Sequence, residues 1–87
     1  MSRTVKLVYF AWVREKAGRA AEEIALPESV RTVADLVAWQ RTRGDAFADA
    51  FARPEVIRAA IDQTHVKPTA SLEGAREIAF FPPVTGG

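Results

Sequence analysis

TVKLVYFAWV, residues 4–13, decides how the rest of the chain is read. β-Branched and aromatic side chains fill it, which is the composition of a strand. Side chains alternate across a strand, so Val5, Leu7 and Tyr9 share one face while Lys6, Val8 and Phe10 share the other. A second run of the same kind, EIAFF at residues 77–81, lies at the far end of the chain. There Ile78 and Phe80 point one way, Ala79 and Phe81 the other.

Working outward from the first strand, Arg14 to Ala21 is polar, contains Gly18, and reads as a turn. A strand at Glu22–Leu26, with Ile24 and Leu26 on one face, completes a β-hairpin. Pro27 stops it. Thr32 reads as a helix N-cap with Asp35 three residues on, a variant of the capping box. Val33, Leu36 and Val37 give that helix an apolar face, and Gly44 is expected to end it. Asp45–Ala52 reads as a further short helix with Phe47 and Phe51 one turn apart, before Arg53-Pro54 breaks the pattern. Val56–Asp62 alternates with Ile57, Ala59 and Ile61 on one face. A turn at Asp62–Thr64 leads to a short strand at His65–Lys67, and Pro68–Gly74 is a loop before the last strand.

This order predicts an α+β fold: a mixed sheet with one main helix packed on one face. First and last strands pairing in parallel at the centre would give a β-grasp arrangement, although other α+β layouts fit the same order. In the β-grasp layout Val5, Leu7, Tyr9, Ile78 and Phe80 lie beneath the helix. Val8, Phe10, Ala79 and Phe81 go to the opposite face, which is polar in a solitary domain with one helix layer. Here it is partly apolar. Either the segment Gly44–Pro54 covers it, or it is a partner site; the second reading is favoured because contiguous exposed apolar surface marks interaction.

Composition narrows the function. The 87 residues suffice for one domain, and 48% of them are hydrophobic. Lys+Arg number 12 against Asp+Glu 11, a net charge of +1 without the basic stripe of a nucleic-acid binder. Cysteine is absent, which removes disulfides, thiol nucleophiles and zinc fingers together, and one histidine, His65, cannot build a metal cluster. No apolar run approaches the ~20 residues of a membrane span. A cytoplasmic protein without metal, membrane or nucleic-acid partner is expected. Trp12 and Trp39 read as packing residues, Lys67 as solvated, and Arg14 and Glu15 as support for the hairpin turn in preference to partner contacts.

The closing octapeptide FFPPVTGG, residues 80–87, carries the chemistry. Pro82-Pro83 cannot extend the strand, since neither donates a ladder hydrogen bond, and they stiffen the exit from the domain. Val84 and Thr85 follow, then Gly86 and Gly87 without side chains. Such an end passes through a narrow channel and presents a terminal carboxylate inside another protein. The expected division is a domain at residues 1–81 and a flexible C-terminal tail at 82–87.

FFPPVTGG resembles the terminal signature of molybdopterin synthase small subunits, sulfur carriers of the ubiquitin-like β-grasp superfamily. LVYFAWVRE, TVADL, AIDQT and the Leu72-Glu73-Gly74 turn extend the likeness over most of the chain. The resemblance implies that Gly87 is adenylated by an enzyme similar to ubiquitin-activating enzymes, with ATP consumed there and no cofactor held permanently. A sulfur donor protein then makes the thiocarboxylate. The implied main partner is the large synthase subunit, in a heterotetramer of two small and two large chains, where the sulfur reaches cyclic pyranopterin monophosphate. Partner contacts would come from Phe10, Phe81, Pro82, Pro83, Val84, Thr85 and His65, with Gly86 beside the reacting Gly87. Carriers for thiamine synthesis or tRNA thiolation, and ubiquitin-like protein modifiers, end in the same two glycines and remain alternatives.

Overall fold

A computed structural model of the chain describes residues 3–83. Five strands form one sheet: β1 Arg3–Tyr9, β2 Ala21–Leu26, β3 Arg58–Ile61, β4 Thr64–Val66 and β5 Glu77–Phe81. Their spatial order is β2-β1-β5-β3-β4. β1 and β5 run parallel at the centre with Leu7 opposite Ile78 and Tyr9 opposite Phe80, and the other three pairs are antiparallel. This is the β-grasp layout, one of those the element order left open, with the first and last strands paired at the centre.

Three helices, α1 Ala11–Ala17, α2 Val33–Gln40 and α3 Asp45–Ala50, and a 3-10 turn at Pro54–Val56 complete the domain. α2 starts as expected. The Thr32 hydroxyl accepts the Asp35 N–H at 3.1 Å while the Asp35 carboxylate accepts the Thr32 N–H at 3.2 Å, satisfying donors left free by the first turn. The Arg31 N–H, at 3.1 Å, and then the Thr32 N–H, both donating to the Asp35 carboxylate, lower its pKa. α2 ends at Gln40 rather than Gly44. Gly44, at φ 126°, instead opens α3 in a backbone conformation that side-chain-bearing residues avoid.

The first strand is shorter than expected. The ladder continues for one bond past Tyr9, the Phe10 N–H donating to the Phe80 carbonyl at 3.0 Å, and then the chain turns at Ala11 with φ 54°. The Phe10 carbonyl accepts from Val13 and Arg14, starting α1 where a polar turn was expected. Val13 and Ala17, one helical turn apart, are both buried, and Gly18 at φ 81° caps the helix with its N–H on the Arg14 carbonyl. β1 and β2 are therefore antiparallel neighbours joined by a helix.

The core lies between the sheet and the helices. Tyr9 and Phe80 stack at 6.1 Å, and Phe51 meets Phe80 edge-on at 5.1 Å. Phe47 also meets Tyr9 edge-on, at 6.2 Å. Such pairs add to the gain from apolar burial. Because Phe47 and Phe51 pack here, the segment from Gly44 to Pro54 belongs to the core side and leaves the other face of the sheet uncovered.

One polar side chain lies deep in this layer: Gln40 is fully buried. It donates to the Tyr9 hydroxyl at 2.8 Å, and Tyr9 donates to Glu22 at 2.6 Å. Arg43 closes the circuit with a two-pronged bond to Glu22 at 2.7 and 2.9 Å and a third to Gln40 at 2.7 Å. Its guanidinium also lies over the Phe47 ring at 4.1 Å and the Trp39 ring at 5.1 Å. β1, β2 and α2 are tied together through paired polar groups, so their burial carries no unsatisfied donor.

Candidate functional site

Register divides the open sheet face into two halves. Towards the start of β5, Lys6 stands between Glu23 on β2 and Glu77 on β5, an alternation of charge that favours water and mutual pairing. One row further along β5 the side chains are Ala21, Val8, Ala79, Ala60 and His65, neighbour to neighbour across all five strands. Ala60 is only 5% exposed even on this uncovered face. Beyond this row come Phe10 and Phe81, with Arg58 opposite Phe81. The apolar half lies where β5 ends and the chain leaves towards its terminus.

Phe10 projects from the surface at 50% exposure, and no other large hydrophobic side chain among the described residues is so exposed. Strand parity sends it outward, and the left-handed turn at Ala11 then carries the chain back over the core. That conformation costs an alanine roughly 1–2 kcal/mol. Backbone strain of this kind persists only where surrounding bonds enforce it, here the pair onto the Phe10 carbonyl and the one from its N–H. Phe81 is half-buried, its ring 5.0 Å from the His65 imidazole and tilted by 46°. Pro82 and Pro83 are half-buried just past the strand.

The structure thus brings Phe10, His65 and Phe81 to one end of one face, with Pro82-Pro83 following directly on β5. Val84, Thr85, Gly86 and Gly87 lie outside the described residues. Ala60 and Arg58 join the patch without having been singled out in the sequence. The alternation of Ile57, Ala59 and Ile61 contained that information, since the residues between them must face the other way. Trp12 and Trp39 pack against the core, as expected of both. Arg14 and Glu15 lie exposed on α1, not in a hairpin turn.

Displaced ionisations fall elsewhere. Hydrogen bonds from Arg43 pull the Glu22 carboxyl down to about 2, and burial followed by the Glu22 bond pushes the Tyr9 phenol up. Both belong to the cluster beneath α2. Among the described residues no helix is long and apolar enough to cross a membrane. The open face offers apolar area, an aromatic anchor and a cationic edge: the means to bind.

A family model, the ThiS family, matches residues 7–87. The chain belongs to the ThiS family. Its members are ubiquitin-like sulfur carriers, small proteins that work with a larger synthase subunit and an adenylating enzyme. No curated protein matches the sequence. Among solved structures, the crystal structure of SAMP1 from Haloferax volcanii is 21% identical with a TM-score of 0.65, covering 98% of this chain and 100% of that one. A Pyrococcus furiosus protein provisionally assigned as molybdopterin converting factor subunit 1 is 24% identical at a TM-score of 0.63, covering 93% and 98%. A ubiquitin from Caldiarchaeum subterraneum is 16% identical at 0.60 and covers 100% of each chain. These likenesses establish the ubiquitin-like fold, and the family match establishes the carrier class.

Proposed function

We propose that this chain is the sulfur-carrying small subunit of molybdopterin synthase. The observation that carries the reading is the sequence FFPPVTGG, whose Phe80 and Phe81 close the central strand beside an uncovered apolar face. The face docks the large subunit, while the terminus reaches into that subunit's active site. In this reading Gly87 attacks the α-phosphate of ATP on an adenylating enzyme, releasing pyrophosphate. A carboxylate is a poor electrophile, and the acyl-adenylate supplies a good leaving group. Sulfide-level sulfur from a donor protein displaces AMP, leaving a thiocarboxylate that delivers its sulfur to cyclic pyranopterin monophosphate, with hydrolysis of the acyl–sulfur bond returning Gly87 to the carboxylate. Groups that stabilise charge during transfer come from the large subunit. Phe10, His65, Phe81, Pro82 and Pro83 make the contacts next to the exit, and Val84, Thr85 and Gly86 lead to Gly87.

Intact-mass spectrometry tests this directly. Incubation with ATP, the adenylating enzyme and a sulfur donor is expected to exchange one oxygen for sulfur at Gly87. A terminus that remains an ordinary carboxylate in protein still competent for pterin dithiolene synthesis overturns the reading. A second reading, a protein modifier joined to target lysines, is favoured by the likeness to small archaeal modifier protein 1. Lysine conjugates that survive a denaturing gel would select it. Transfer of the thiocarboxylate sulfur to some other acceptor would select a different carrier pathway.

A further inference from the structure

On the helix side of the molecule, away from the open sheet face, a trough of about 280 Å³ runs between α2 and β3. Buried Val33, Val37, Ile57 and Ala59 form its floor. Its depth comes from α2, which carries only Ala34 and Ala38 on its exposed flank there. Larger side chains at these two positions would fill it. The polar groups at its mouth are unbalanced. Arg58 gives one donor to the Glu55 carbonyl at 3.1 Å, and the Glu55 carboxylate is held by Arg53 at 3.2 Å. The Arg41 side chain, also on the mouth, has no hydrogen bond or ion pair among the described residues. An apolar floor thus sits beside two guanidiniums with spare donors and no carboxylate of their own.

We propose that this trough docks a short extended segment of a partner protein, in which aliphatic side chains are followed by a carboxylate. From Ala34 to Arg41 the helix advances about 10 Å, the length of roughly three extended residues. Two aliphatic side chains cover the floor, and a following Asp or Glu reaches Arg41 and Arg58, where planar guanidiniums suit a carboxylate. A second copy of this chain fits less well. Arg41 and Arg58 both line this trough, so a symmetric pairing through it would oppose like charges. The inference is independent of what happens at Gly87, because the floor of the trough lies on the helix side of the sheet, with Arg58 alone bordering both surfaces.

The test is a titration of ¹⁵N-labelled full-length protein with the tetrapeptide acetyl-Leu-Val-Asp-Glu-amide, followed by NMR. Saturable shifts are expected at Val33, Ala34, Val37, Ala38 and Ile57 but not at Val8 or Ala79. Binding should weaken as salt is raised, since exposed ion pairs are screened. Arg41→Glu should weaken it at least fivefold, and Ala38→Trp should abolish it by filling the trough. Both positions are exposed, so unchanged spectra elsewhere will show that the variants fold. Absence of saturable shifts overturns the proposal. So does equal binding of acetyl-Leu-Val-Lys-Lys-amide, or of the acidic peptide to Arg41→Glu. Trough shifts that depend on protein concentration without peptide overturn it in favour of self-association.

Discussion

Glu22 is the residue on which the interior polar circuit turns. Tyr9, Arg19 and Arg43 all donate to its two oxygens, and its side chain is only 12% exposed. Its pKa, held at about 2 against an ordinary 4.5, ties stability to pH. A depressed carboxyl pKa contributes stability that is complete above the unfolded value and is lost as pH falls towards the folded one. The window is therefore pH 4.5 down to 2, and the contribution amounts to at most about 3 kcal/mol. Glu22→Gln should lose about 2 kcal/mol at pH 7, because Arg43 and Tyr9 keep their places but lose the charge they meet. Urea midpoints of the two proteins should converge as pH falls through that window. Curves that stay parallel down to pH 2 would remove Glu22 from the account. The Tyr9 phenol acts with the opposite sense. Its raised pKa contributes stability that is complete below about 10 and declines as the medium becomes more alkaline.

Among the elements, α2 and α1 show what sequence could and could not disclose. Thr32 and Asp35 announce the start of α2 because a capping box is local chemistry, legible without knowledge of the rest of the fold. Thr32→Ala should cost about 1 kcal/mol, read as a shift in the urea midpoint. Faster amide exchange at Ala34 and Asp35 would localise the loss to the helix start, and uniform exchange changes would contradict it. α1 was hidden for a different reason. Phe10, Trp12 and Val13 have strong strand preferences, and nothing local marks Ala11 for a left-handed turn. The signals present were Val13 and Ala17 one turn apart with Gly18 following, a helix-and-cap pattern outvoted by strand composition. Tertiary burial of Val13 decided the matter. Gly18 has nothing within 4 Å of where a Cβ would stand, so only its φ of 81° opposes substitution. Gly18→Ala should accordingly cost about 1 kcal/mol, with no loss of packing. A much larger cost would mean that the cap does more than turn the chain.

At the scale of the whole molecule, the proposed function puts binding and chemistry on different parts of one chain. Alternation in β1 and β5 made the open face legible from sequence, because parity alone separates Tyr9 from Val8 and Phe80 from Phe81. Whether anything covered that face depended on where Phe47 and Phe51 packed, which local pattern does not reveal. With the face uncovered, Phe10 and Phe81 become the expected anchors for the large subunit, aromatic side chains next to near-flat Ala60 and Ala79. Phe10→Ala removes a ring that is half in water already, so the free domain should change by less than about 0.5 kcal/mol. Loss of more than about 1 kcal/mol in binding is expected from the same change. Phe81→Glu should raise the dissociation constant further, at least about tenfold, by placing a charge in the desolvated patch. In the free protein that carboxylate faces Arg58 across the strand pair, which offsets the lost contact with His65. Deleting Gly86-Gly87 should do the reverse: most affinity is retained while sulfur transfer is lost. Calorimetric titration of the three variants into the large subunit, beside their melting curves, separates the roles. Unchanged affinity in Phe81→Glu would move the docking surface elsewhere on the molecule and leave the exposure of Phe10 without a function.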